Sequence, residues 1–443
     1  MSNTLLTISD ITNESLMVLE NELQFTSRVN REYDDRFGVD GAKIGYSINV
    51  RRPARFVGTT GPALNVENFT EGSTPVTLTT QFHVDTQFIT SDLLLSMDMF
   101  SERVLKPKIA TIANRVDYDG LTMATANTFN ITGTAGAAPT TVAPFLQAGA
   151  WLDSEAVPRD GKRAIVLDQW SMASMAGALT GLFNPQVKIS QQYEKGLLGK
   201  ATLGFDWYQD QNTVAQAFGA GGGSPQFDNT QTSSAVISSG WVDSGTLGTK
   251  GWSNSTAVVK VGDILSIANV NAVNPQNRQK FGGGKARYFV VRPPAGAGSG
   301  TTNLTNGTFT ATTDSAGVVV GGTYTSDGSG KLLLTVANAC ISAGQFQNVD
   351  AAPANSANIT LFATSTTSPQ SLAFHRDAFT MVSADLPLPG GVDMAARASH
   401  KDIGMSLRVV RQYTINNDAL PTRIDVLYGW APLYREMSCR IAG

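Results

Sequence analysis

The residues of this chain that could do chemistry are few and scattered. Three histidines occur, His83, His375 and His400. A metal site needs His, Cys or carboxylate ligands at short fixed spacings, such as HxxxH or CxxC, so that several donors converge on one ion. None of the three has such a neighbour, and a solitary strand histidine is ordinarily structural. Ser399, His400 and Asp402 match a nucleophilic triad in residue type. A triad converges side chains from separate segments, so near-consecutive residues do not form one.

The glycine-rich stretches fail the corresponding test for phosphate binding. GAGGGS (219–224) and FGGGKAR (281–287) lack the GxxxxGK[ST] spacing that lets backbone amides cradle a phosphate. GLLGKAT (196–202) comes nearer, but only two residues separate its glycines and Ala follows the lysine. These read as turns and linkers. The acidic pairs Asp34-Asp35 and Asp117/Asp119 have no second cluster to complete a site, and read as solvated faces. Cys340 and Cys439 are too few for a disulfide framework and point to a reducing compartment. No catalytic, cofactor-binding or metal-binding residue is assigned, and no cofactor is expected.

One constellation does suggest function, and it is a contact rather than a reaction. Arg51, Arg52 and Arg55 lie on an outgoing strand, GYSINVRRPARFVG, while Glu67 and Glu71 lie on the returning side. Between them runs a connection full of turn formers, and a second alternating run, VTLTTQFHVDTQFIT, follows. The pattern predicts an extended β-hairpin with little to bury by itself. Uncovered strand edges are an aggregation liability, so the hairpin is either a solvated β-flap or a loop that reaches over an adjacent subunit, and in the second reading the five charged residues meet that neighbour.

The elements around this hairpin alternate in kind. Residues 13–33 carry Leu16, Leu19, Leu23 and Val29 near one stripe, which predicts an amphipathic helix capped by Asn13. Val104, Ile109, Ile112, Ala113 and Val116 recur at helical spacing and predict a long helix from about Pro107 to Ala126. Residues 142–220 read as compact α/β: a helix, the buried strand AIVLD, then a second helix ended by Asn184-Pro185. From Gly221 to Gln370 there is no Glu, and short β-favouring runs alternate with Gly, Asn and Ser clusters, as in a small barrel or sandwich. Its flanks, GAGGGSPQ and TSTTSPQ, read as the joints of an insertion.

Bulk properties narrow the function classes. The chain has 443 residues, enough for two or three domains, with 42% hydrophobic and 16% charged residues. The net charge of −3 lacks the basic excess of a dedicated nucleic-acid grip. The first residues lack a signal-peptide pattern, and no apolar run reaches the roughly 18 residues of a membrane span, so a cytosolic product without membrane contact is expected.

Four stretches then carry a family resemblance. FSERVLKPKIATIANRVDYDGL, AVPRDGKRAIVLD, YEKGLLGKATLGFDWYQDQNT and SLRVVRQYTINNDALPTRIDVLYG occur in the order found in major capsid proteins of tailed double-stranded-DNA phages. The most specific is Arg423-Ile424-Asp425-Val426-Leu427-Tyr428-Gly429. The chain is similar to the podophage coat-protein subfamily of the Hong Kong 97-type fold, over nearly its whole length. The resemblance implies an α+β fold with an inserted all-β domain. It divides the chain into an N-terminal arm (1–35), an extended loop (36–90) and a peripheral domain with the spine helix (91–141). A central domain (142–220), the inserted β domain (221–370) and a return to the central and peripheral domains (371–443) complete it. It implies self-assembly as pentamers and hexamers into an icosahedral shell around phage DNA, formed in the host bacterial cytoplasm. Scaffolding and portal proteins are the implied partners, with weak non-specific contact to packaged DNA; glycines 38, 41 and 45 would serve as joints. The competing reading is a tail or decoration component with a glycan-binding β module.

Overall fold

A computed structural model describes residues 23–31, 45, 47–89, 106–179, 204–313, 319–400, 405–416 and 419–443. Several expectations lie outside these residues: most of the 13–33 helix, Asp34-Asp35, Gly38, Gly41, Asn184-Pro185, GLLGKAT as far as Ala201-Thr202, and Lys401-Asp402. The chain divides into two compact units, one of 1–49, 75–121 and 379–431, the other of 50–74, 122–378 and 432–443.

In the first unit, helix α1 (Lys106–Asn127) supplies the long element the periodicity predicts. Pro107 sits in its first turn, where its missing amide costs nothing. Ile109, Ile112, Ala113 and Val116 are buried at the helical spacing that makes one apolar face. The sheet beside it runs Phe379–Ser383, Ala419–Pro432, Met405–Arg411 and Met394–His400, with Thr80–Ile89 also pairing on Ala419–Pro432.

Two expectations are corrected in this unit. The single return strand over 76–90 is two strands: Ser73–Thr77 pairs with Ser47–Arg51, and Thr80–Ile89 pairs with Ala419–Pro432 along its length. Alternation specifies a strand but not its partner, because the backbone ladder is the same for every residue. Within 23–31 the expected helix is only a 3-10 turn, Thr26–Arg28. Its amides are taken by Asp117: the backbone N–H groups of Gln24, Phe25 and Thr26 donate to the carboxylate at 2.8, 3.2 and 3.0 Å. Asp117 is therefore buried, not part of a solvated face. Asn30 then donates to the Phe379 carbonyl at 3.1 Å, closing a strand-like bridge.

The closing motif has a structural task at almost every position. Ile424, Val426 and Leu427 are buried, as is Asp425, which pairs with Arg408 and with Arg423 (3.2 Å) and accepts from Gln81 at 3.0 Å. Gly429 passes so close to Thr77 that an added Cβ would lie 2.1 Å from the Thr77 carbonyl oxygen. Trp430 stacks on Phe25 with ring centroids 5.5 Å apart and fills the space a Cβ at Gly120 would need.

The second unit holds a mixed sheet, Ile131–Gly133, Ser438–Ala442, Thr367–His375, Arg163–Leu167 and Asp206–Gln209 in that order. Helices α2 (Ala143–Ser154) and α3 (Gln169–Leu179) accompany it. Phe145, Ala148 and Leu152 of α2 join Ile165, Leu167, Trp207 and Ile441 in one core. Asp168 caps α3, accepting from the amides of Trp170 and Ser171 at 3.1 Å each.

Among the described residues, the Glu-free stretch forms two antiparallel sheets and a parallel pair, Val236–Ile237 with Cys340–Ile341. Six strands run Ile359–Leu361, Ile264–Asn271, Ala286–Arg292, Leu332–Ala337, Ser244–Trp252 and Gly223–Phe227. Four more run Ala257–Lys260, Val319–Thr325, Thr308–Thr313 and Thr301–Asn303. Side chains from both, including Val259, Leu265, Phe289, Phe309, Tyr324 and Leu334, share one core. The chain enters and leaves this module through paired backbone: Ala215–Ala217 pairs with Thr367–His375, Phe218 donates to Thr366 at 2.9 Å and Ser365 to Gly219 at 2.8 Å.

Candidate functional site: the root and span of the extended loop

The residues between the paired strands Ser47–Arg51 and Ser73–Thr77 form an irregular span, and its two ends differ sharply in environment. At the root, Arg52 is 6% exposed whereas Arg51, beside it, has a side chain 81% exposed. Alternation along the strand produces this difference, since successive side chains point to opposite faces. The Arg52 amide donates to the Gly72 carbonyl at 2.7 Å. Gly72 has no room for a side chain, because a Cβ there would lie 2.8 Å from the Trp241 ring.

Arg52 is held on every side. Its guanidinium pairs with Glu436 at 3.2 Å, donates to the Leu433 carbonyl, and lies over the Trp241 ring at 4.4 Å and the Tyr434 ring at 5.0 Å. Arg55 reaches the same Glu436 carboxylate at 3.3 Å. Burial pushes the Glu436 carboxyl up, but Arg52 and then Arg55 outweigh it and hold it below the ordinary glutamate range. Nearby, Arg435 pairs with Asp243 at 2.9 Å, and Arg287 pairs with Glu155 while lying over Phe129 at 4.7 Å. Burial raises Glu155 above the ordinary range despite Arg287. These groups line a cavity of about 50 Å³.

The span itself is lightly attached. Arg278 donates to the Phe56 carbonyl at 2.9 Å, Gln345 accepts from the Thr70 amide at 3.1 Å, and Phe56 and Phe69 lie with ring centroids 6.2 Å apart. Leu64 and Val66 are 91% and 75% exposed.

The five charged residues expected to act as one set are thus divided. Arg51 and Glu71 pair with each other at 3.5 Å in solvent, and Glu67 accepts from the Val57 amide at 2.8 Å. Arg52 is buried at the root, and half-exposed Arg55 shares its Glu436 partner there. Sequence reading missed Glu155, Asp243, Arg287, Arg435 and Glu436, which sit singly or in pairs with no shared spacing. Only the adjacency of Arg435 and Glu436 to the closing motif offered a signal.

Two of the histidines have structural partners. His375 bonds Asp160 at 3.0 Å, and His83 pairs with Asp85 at 2.9 Å. Cys340 and Cys439 are buried, free thiols, and burial pushes Cys340 up to about 12. Among the described residues no group of three or more His, Cys, Asp or Glu could hold a metal ion, and no helix is long and apolar enough to cross a membrane.

A sequence profile of the P22 coat protein family (gene protein 5) matches residues 19–443, and the chain belongs to that family. It is a major capsid protein of a phage shell, with the α+β, Hong Kong 97-type fold expected from its motifs. Curated proteins yield no significant match. Among solved structures, the chain is similar to Mycobacterium phage Che8, at 10% identity and a TM-score of 0.42, covering 95% of this chain and 90% of the other. The head structure of Helicobacter pylori bacteriophage KHP40 gives 9%, 0.41, 95% and 90%. The mature capsid of bacteriophage PhiM1 gives 12%, 0.38, 89% and 81%. At such values the family match alone decides the assignment, and it decides against the tail or decoration alternative.

Proposed function

We propose that this coat subunit closes its shell as rings of five and six, with the span between Pro53 and Gly72 laid over a neighbouring copy. The observation that carries this reading is the exposure of Leu64 and Val66, joined by Phe56 and Phe69, on a segment with no core of its own. Clustered exposed apolar side chains mark a surface that a partner covers, and in a closed homo-oligomer the partner is another copy. Arg51 and Glu71 lie exposed at the same span and border that contact; Glu67 shapes the span from within. The role is structural, with no reaction performed. Scaffolding and portal proteins are the further partners, and packaged DNA is touched only weakly, as suits a net charge of −3. Assembly takes place in the host bacterial cytoplasm, and the inserted module comprises 221–370.

The test is the double variant Leu64→Asp, Val66→Asp, expressed with the neighbouring phage genes and viewed by electron microscopy. The expected result is a folded subunit with an unchanged melting temperature and no closed shells. Shells of normal yield and form would overturn the reading.

A further inference from the structure

The cavity at the loop root carries unbalanced charge. Its lining includes four arginines, Arg52, Arg55, Arg287 and Arg435, against three carboxylates, Glu155, Asp243 and Glu436. One positive charge is left over. Arg292 adds to the excess nearby: burial, and after it Arg435, push its guanidinium down to about 9. Three of the four lining arginines, Arg52, Arg287 and Arg435, are buried. The Nε atoms of Arg287 and Arg435 are buried without a hydrogen-bond partner. The excess positive charge falls to half-exposed Arg55, at the mouth of a cavity whose other guanidinium groups are buried, and a counter-ion entering there would balance it.

We infer that this cavity binds one small monovalent inorganic anion of halide size, held among the guanidinium groups of Arg55, Arg287 and Arg435. Its volume of about 50 Å³ exceeds the roughly 10–15 Å³ that admits a single water-sized probe. It therefore has room for a halide with a little water, and too little for a phosphate ester with its substituents. The neutral lining groups suit such a guest: Asn338 and Asn348 offer amide dipoles, and Trp241 and Phe346 close the sides. The anion would join three parts of the second unit that the protein's own ion pairs already bring together. These are the loop root at Arg52 and Arg55, the β module at Asp243 and Arg287, and the terminal segment at Arg435 and Glu436.

The site is tested on the full-length subunit by following unfolding as chloride or bromide replaces gluconate at constant ionic strength. A ligand bound only by the folded state raises the folding constant up to about tenfold for each tenfold rise in its concentration above Kd. The wild type is expected to gain stability with halide and to show a bromide peak in anomalous diffraction at the cavity. Arg55→Gln removes the excess charge at a half-exposed position and leaves Arg52 on Glu436, so its halide dependence is expected to vanish. Equal stability in halide and gluconate, or the same halide dependence in wild type and Arg55→Gln, would refute the site. If Arg55→Gln does not fold, the wild-type bromide map decides, and a cavity holding water alone refutes it.

Discussion

Tyr428 donates its phenolic hydrogen to Asp119 at 2.5 Å, joining the closing strand to α1 across 309 residues of sequence. Arg115, one turn earlier on the helix, pairs with the same carboxylate at 3.0 Å. Burial and then the adjacent Asp119 push the Tyr428 phenol above its ordinary range, so it stays a donor throughout the physiological range. Tyr428→Phe keeps the ring and deletes only the hydroxyl. It is expected to destabilise the subunit by about 1.5–3 kcal/mol, as for loss of a hydrogen bond to a charged acceptor, measured by urea unfolding.

Adjacent arginines at the loop root should separate cleanly. Arg51→Glu breaks an exposed pair worth under about 1 kcal/mol, so the subunit is expected to stay folded and soluble. Arg52→Glu buries a carboxylate beside that of Glu436 and is expected to cost about 3 kcal/mol or more. Comparing soluble yield and melting temperature of the two variants checks the division. Equal behaviour would mean that burial at the root does not matter.

Asp263 predicts an unusual pH dependence. Its carboxylate accepts from the Lys260 amide at 2.8 Å and the Gly219 amide at 3.0 Å, yet burial lifts its pKa to about 7. The folded state therefore holds this proton more tightly than the unfolded state, whose value is near 3.8. Its contribution is favourable below about pH 4 and is lost as pH rises to about 7, by up to ~4 kcal/mol. Unfolding curves across that range for wild type and Asp263→Asn are expected to differ in slope, with the variant flatter. Parallel curves would show that Asp263 titrates normally in the fold.

Two glycines test close approach. Gly429→Ala would drive a Cβ into the Thr77 backbone, and Gly120→Ala into the Trp430 ring. Overpacking of this kind costs about 1–3 kcal/mol. The Gly429 variant is expected to be the worse, because a carbonyl in a strand yields less readily than a side chain. Thermal melts of the two variants give the order.

Much of the fold is legible in the chain because its causes are local. The period of Ile109, Ile112, Ala113 and Val116 specifies α1, whose Lys106–Asn127 extent lies within a residue of each expected end. Runs such as ARYFVVR become strands where predicted, since β-branched and aromatic alternation is also a local property. The order of motifs sufficed to indicate the family. The burial of Asp117 is not legible in this way, because a carboxylate on a helix looks the same in sequence whether it faces water or three backbone amides.

Residue order along the chain specifies the kind and succession of elements, together with membership in a coat-protein family. The tertiary structure alone decided which partners they take. Glu436 meets Arg52 across 384 residues, and Thr80–Ile89 chooses Ala419–Pro432 over the strand beside it. The physical reason is the same for both. Coulomb attraction and the backbone ladder are blind to sequence separation, so partners are chosen by the packing of cores and the burial of charge, which exist only once the chain has folded.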